Sequence, residues 1–128
     1  MNPIIEQYFD AVEVRLIQSS VIVGYQIIRR EVAPADGKFR VKVILNDGGV
    51  AELFEYVSEA EGHIRLLKYS FHWQDVQGKL KQRWDNAPHY PDLSNSPHHV
   101  HLEDDVVREV TEVPDIIFVI EQIEQVLK

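Results

Sequence analysis

The chain predicts an α+β fold, a five- to six-stranded antiparallel β-meander packed on one face by an N-terminal and a C-terminal helix. Three observations predict it. Apolar residues recur at helical spacing near the two ends, at Ile5, Tyr8, Phe9, Val12 and Leu16 and again at Ile116, Val119, Ile120, Ile123 and Leu127. Between them runs a long stretch rich in β-branched and aromatic residues. That stretch is broken by short turn signals, Asp36-Gly37, Asp47-Gly48-Gly49 and Gln77-Gly78. The 128 residues are one domain's worth of chain. The expected division of 1–128 is a helix over 2–19, an antiparallel sheet over 21–86, a histidine- and proline-rich loop over 87–101, and a short strand and C-terminal helix over 104–128.

Each element has its own signal. Asn2 and Pro3 suit an N-cap and first helical position, and the first helix ends near Ser19. A strand over Val21–Ala33 leads to Pro34 and the hairpin signal Asp36-Gly37, then to the strand Phe39–Asn46. Asp47-Gly48-Gly49 turns the chain into Val50–Val57, and Ser58–Gly62 connects to His63–Asp75. A two-residue turn at Gln77-Gly78 then begins Lys79–Asn86, setting Phe71 opposite Trp84, His72 opposite Arg83 and Ser70 opposite Asp85. Carried back through the other turns, similar pairing groups Ile28, Val32, Val41, Val43, Phe54, Tyr56, Leu67, Tyr69, Phe71, Trp73 and Trp84 on the core face. Ile44, Leu53, Ile64 and Leu66 fall on the opposite face, with Ser70, His72, Gln74, Lys81, Arg83 and Asp85. Pro88, Pro91 and Pro97 exclude regular structure from Ala87–His101 but suit a rigid, ordered loop. Val106–Val110 reads as a short edge strand, and Pro114 opens the closing helix.

Composition removes several function classes. With no cysteine, thiolate metal sites, cysteine nucleophiles and disulfides are excluded. No apolar run reaches the roughly 18 residues of a membrane span and no secretory signal is read, so the protein is expected in the cytoplasm, away from membranes. The net charge of −8 argues against a nucleic-acid binder when taken whole. Its distribution is uneven: residues 1–62 sum to −4, residues 63–101 to +2 and residues 102–128 to −6. Within the positive third, Tyr69–His101 also holds both tryptophans and five of the six histidines.

Two groups there carry chemistry. His72, Arg83 and Asp85 share one sheet face in the expected register, combining a proton-exchanging imidazole, a permanent cation able to grip phosphate and a carboxylate. That is the minimum equipment of a metal-independent ribonuclease, and it is also what cross-strand polar pairing on a solvated face looks like. The second group is His89, His98, His99 and His101. His99 and His101 point to one side of an extended segment, and with His89 or an aspartate they offer imidazole and oxygen ligands to a metal, although their spacing matches no strict metal motif. The alternative is a loop using histidines as hydrogen-bonding spacers. No cofactor is called for. The aromatics Tyr69, Phe71, Trp73 and Trp84 invite comparison with base-stacking platforms, but they alternate onto the apolar face and read as core.

The ordered set YFDAVEVRL (Tyr8–Leu16), RREVAPADGKFR (Arg29–Arg40), ELFEYV (Glu52–Val57), YSFHWQD (Tyr69–Asp75), RWDNAPH (Arg83–His89) and PHHVH (Pro97–His101) resembles the TumE family over nearly the whole chain. The resemblance implies the toxin component of a prokaryotic type II toxin–antitoxin pair, partnered by a small helix-turn-helix antitoxin of the TumA type, with RNA as target. It assigns no catalytic residues. Two classes follow. One is a ribonuclease toxin acting through His72, Arg83 and Asp85 with His89, His99 or His101. The other is a non-enzymatic interaction module, or an inactive toxin homologue, that binds a partner protein. Homo-oligomerisation is left open.

Overall fold

The computed structural model describes residues 2–87, 98–103, 106–110 and 112–128. In order, these form α1 (Pro3–Gln18), β1 (Ile22–Val32), β2 (Asp36–Leu45), β3 (Val50–Ala60), β4 (His63–Gln74), β5 (Leu80–Asp85), β6 (His99–Leu102), β7 (Val107–Glu109) and α2 (Ile116–Leu127). The architecture is α+β, and every strand pairs antiparallel with its neighbour in chain order. The sheet has seven described strands rather than five or six. The extra one is β6, because His99–Leu102 pairs with β5 instead of closing a loop. No helix among the described residues is long and apolar enough to cross a membrane.

Local chemistry starts each helix. The Asn2 side-chain oxygen accepts from the amides of Ile4 and Ile5 at 3.0 and 3.1 Å. Its amide nitrogen donates to the Pro34 carbonyl at 3.0 Å and to Glu59 Oε1 at 2.6 Å, pinning the start of α1 to the strand ends beneath it. Asp115 caps α2 through the Phe118 amide at 2.8 Å. The helices then bury Ile5, Phe9, Val12 and Leu16 and Ile116, Val119, Ile120 and Ile123 against Phe39, Val41, Val43, Leu53, Tyr69, Phe71, Trp73 and Trp84 of the sheet. Between the two helices, Arg15 clasps both oxygens of Glu124, whose Oε2 also accepts from the Ser19 hydroxyl at 2.7 Å.

The Asp36-Gly37 pair is not a turn. The chain reverses at Ala33–Ala35, closed by the Ala33 amide on the Asp36 carbonyl at 2.8 Å, and Gly37 lies within β2 opposite Val32. Glycine is needed there for space: a Cβ would stand 2.8 Å from Ile5 Cγ2, 2.9 Å from the Glu31 carbonyl and 3.0 Å from Phe9 Cε2. Gly37→Ala is therefore expected to lose about 1–3 kcal/mol by overpacking the junction of α1 with the sheet. Equal urea midpoints for variant and parent would show that α1 is not seated on β2 in this way.

Face assignments differ from expectation wherever a bulge intervenes, because one extra residue reverses the alternation. Register shifts between Ile27/Arg29 in β1 and Tyr56/Val57 in the β3–β4 pair leave Ile28 and Leu67 as the extra residues, both exposed. Leu53 pairs with both Val41 and Phe71 on the core side, and Ile64 and Leu66 pack on it too. Phe54 and Tyr56 lie on the other face, so their assignment to the core is corrected. The pairs Phe71–Trp84, His72–Arg83 and Ser70–Asp85 are all present.

Charge follows the layers. α1 carries Glu6, Asp10 and Glu13 against Arg15, with Arg30 of β1 reaching all three carboxylates, and α2 carries Glu121 and Glu124. On the face of the sheet away from the helices, the alternation in β2 presents Lys38, Arg40 and Lys42, paired with Glu31, Arg29 and Gln26 of β1. Lys68 of β4 and Arg83 of β5 share that face, opposite Tyr56 and His72.

Candidate functional site

Three cross-strand rows build the site on this outer face. In the first, Lys42, Glu52, His72, Arg83 and His101 are consecutive Cα partners from β2 to β6. In the second, Arg40, Phe54, Ser70, Asp85 and His99 are. The third is Lys38, Tyr56 and Lys68. Because side chains on one face of neighbouring strands stand side by side about 5 Å apart, Arg83 is flanked by His72 on one strand and His101 on the other.

The β4–β5 hairpin brings these rows together. Its loop has three residues rather than two: the Asp75 amide donates to the Lys79 carbonyl at 2.8 Å, the Gly78 amide donates to the Asp75 carbonyl at 2.9 Å, and Gly78 has φ 82°. A bulge follows between Trp73 and Gln74, where Lys81 is the extra residue. The two offsets cancel. Further along, the Asn86 side chain receives the Tyr69 amide and donates to the Leu67 carbonyl, both at 3.1 Å, filling the gap in the ladder beside Leu67 and fixing the chain just past Asp85.

Asp85 is the hub of the cluster. One oxygen accepts from the Ala87 amide at 3.1 Å and lies 2.9 Å from His99 Nε2; the other lies 3.2 Å from Arg83 Nε and 3.9 Å from His101 Nε2. The His99 and His101 rings meet edge-on with centroids 4.9 Å apart. Side-chain exposure rises outward, from 1 % for His99 and 8 % for Asp85 to 25 % for His101 and 47 % for Arg83. Asp85 and His99 thus lie inside the cluster, while Arg83 and His101 are its solvent-accessible members.

Of the residues singled out in the sequence, His72, Arg83, Asp85, His99 and His101 meet on one face, the last two from β6 rather than from the loop expected over 87–101. His98 turns elsewhere: its Nδ1 lies 2.8 Å from the Tyr69 hydroxyl and the two rings stack, 6° from parallel. Burial, reinforced by the neighbouring His99, holds the His98 pKa below the usual imidazole range. Burial, with the Asp85 charge second, raises that of Tyr69. His89, and with it Pro88, Pro91, Pro97 and most of the expected ordered loop, lies outside the described residues.

Asp85, His99 and His101 also each offer one potential ligand atom, all within 4.8 Å of one another. Two imidazoles and a carboxylate suit a divalent transition metal. Against this, one Asp85 oxygen already accepts from the Ala87 amide and the other faces Arg83 Nε.

The sequence reading missed a groove of about 640 Å³ that opens from Arg83 and Asp85 toward β2 and is lined by Arg29, Lys38, Arg40, Phe54, Tyr56 and Lys68. A signal for it existed in the alternation Lys38, Arg40, Lys42, which puts three cations on one side of a strand. The family model described as Toxin TumE matches residues 12–128, from within α1 to the end of the chain. No curated protein and no solved structure matches significantly.

Proposed function

The chain belongs to the TumE toxin family, and from that premise we propose that the outer-face cluster cleaves RNA by attack of a ribose 2′-hydroxyl on the adjacent phosphate. Family membership implies an antitoxin partner; the small helix-turn-helix type is part of this proposal. The observation that carries it is the row His72–Arg83–His101, a guanidinium between two imidazoles on adjacent strands. One histidine takes the proton from the 2′-oxygen as that oxygen bonds to phosphorus. The other donates a proton to the departing 5′-oxygen as its bond to phosphorus breaks, leaving a 2′,3′-cyclic phosphate and a 5′-hydroxyl. Arg83 neutralises the charge gathering on the phosphoryl oxygens. Asp85 holds Arg83 and His101 in place, and His99 in turn holds Asp85.

Expression in a sensitive host tests the roles. His72→Ala and Arg83→Ala are each expected to abolish growth inhibition while changing stability by only about half a kcal/mol, as partly exposed positions normally do. Cleaved RNA should carry cyclic-phosphate ends. A folded double variant lacking both side chains that still inhibits growth would sink the assignment and leave a non-enzymatic interaction module as the better reading.

A second reading, favoured by the proximity of Asp85, His99 and His101, is that these three hold a divalent metal that polarises the phosphate; His89, named with them from the sequence, lies outside the described residues. Activity that survives EDTA supports the acid–base reading. Loss in EDTA with recovery on adding a divalent ion supports the metal.

A further inference from the structure

The chain's charge is −8, yet the groove beside the cluster is lined by Arg29, Lys38, Arg40 and Lys68 and closed at one end by Arg83. Its floor is aromatic. The Arg40 guanidinium lies 4.5 Å above the Phe54 ring and Lys38 Nζ lies 5.3 Å above Tyr56. Neighbouring carboxylates hold these pairs in place: Arg40 donates to Glu52 at 3.0 Å, and the Tyr56 hydroxyl donates to Asp36 at 2.8 Å. Arg40, Phe54, Ser70 and Asp85 form one continuous cross-strand row, so Arg40 stands three strand spacings, about 14 Å, from the hub of the cluster.

A guanidinium resting on an aromatic ring is a flat, cationic surface on which a nucleobase stacks, while neighbouring ammonium groups meet the phosphates. An acidic protein segment would use the cations but would have no use for the aromatic floor. Duplex RNA would meet the cations with its bases hidden in the stack. Resting on the reading of the cluster as an RNA-cleaving site, we infer that this groove binds single-stranded RNA, holding the nucleotides on one side of the phosphate engaged by Arg83. Arg40 with Phe54 supplies the stacking position, and Lys68 and Lys38 pair with the phosphates.

The test separates binding from cleavage. A short mixed-sequence oligoribonucleotide, 2′-O-methylated so that it has no attacking hydroxyl, is titrated by fluorescence anisotropy over a range of salt. The parent protein should bind it and should bind a duplex of the same sequence markedly less well. The Arg40→Ala/Lys68→Ala variant should bind at least about tenfold more weakly, and the slope of log Kd against log salt should fall by about 0.7 for each phosphate that no longer meets a cation. Lys68→Glu, at an exposed position, should show the same weakening, so the test stands even if the double variant fails to fold. Unmethylated RNA then reports cleavage separately. Parent protein that cleaves RNA, with groove variants that bind and cleave as it does, overturns the groove and leaves the cleavage reading intact. Groove-dependent binding without cleavage by the parent upholds the groove and removes the cleavage reading. Duplex affinity equal to single-strand affinity overturns the inference. So do groove variants that lose the antitoxin complex while keeping the oligonucleotide, because the occupant is then a protein segment.

Discussion

As pH rises from about 4.5 through about 7, the fold is expected to lose on the order of 3 kcal/mol through one side chain, Glu55. This carboxyl is fully buried on the helix side of β3, accepting from the Tyr8 hydroxyl at 2.5 Å and from the Ile116 amide, the first of α2, at 2.7 Å. Burial pushes its pKa up to about 7 from an ordinary 4.5, against the pull of the Tyr8 and Ile116 bonds and with a smaller push from Asp115. The sign follows from proton counting. Between those two pH values the folded chain holds a proton that the unfolded chain has released, so each step upward in pH favours unfolding, and the stabilisation is lost as pH passes the folded value. Glu55→Gln keeps the shape and one acceptor without titrating, and its stability should be nearly flat across the same window. Urea unfolding of parent and variant at several pH values checks this; parallel curves would remove Glu55 as the source. Glu124 works in the opposite sense. The bonds from Arg15 lower its pKa, so its contribution is present above the ordinary carboxylate range and is lost on acidification.

The second large effect is expected at Asp85. Replacing it by alanine deprives the Ala87 amide of its acceptor and removes the carboxylate beside His99 and Arg83, at a cost of about 1–3 kcal/mol for the amide left unsatisfied. RNA cleavage should fall by about two orders of magnitude or more, the scale of a displaced acid–base group. Asp85→Asn retains an acceptor of the same size and should recover most of the stability. It should not recover cleavage, because the charge facing Arg83 and His101 is gone. An asparagine variant as active as the parent would reduce Asp85 to a structural corner.

The ends of the molecule and the β4–β5 hairpin were legible in the sequence for local reasons. Asn2-Pro3 is a cap that needs no tertiary partner, and the apolar stripes of both helices have one period throughout. The His72–Arg83 pairing was legible only because two errors cancelled, the three-residue loop at Val76–Gly78 and the bulge at Lys81. Where nothing cancelled, a single extra residue such as Leu67 reversed the alternation and moved Leu53, Phe54 and Tyr56 to the wrong sides. Gly37 misled because space under a helix and a turn both select glycine, and only the crossing of Ile5 and Phe9 tells them apart. Of the site, Arg83, Asp85 and His72 could be gathered from one hairpin. The joining of His99 and His101 to Asp85 depends on a strand that arrives after more than a dozen intervening residues, a separation over which no local signal sets the register. Glu55 had no signal at all, since a carboxylate amid apolar neighbours on a strand normally reads as the solvent side.

Among the described residues, the carboxylates of α1 and α2 and the cations of the outer face lie on opposite sides of the sheet, which directs an electric moment roughly normal to it. Near a polyanion such a body experiences a torque before the two surfaces touch, and the torque turns the side bearing Arg40 and Arg83 forward. Orientation is thereby decided within about a Debye length, near 8 Å in physiological salt, so added salt should slow arrival more than it hastens departure.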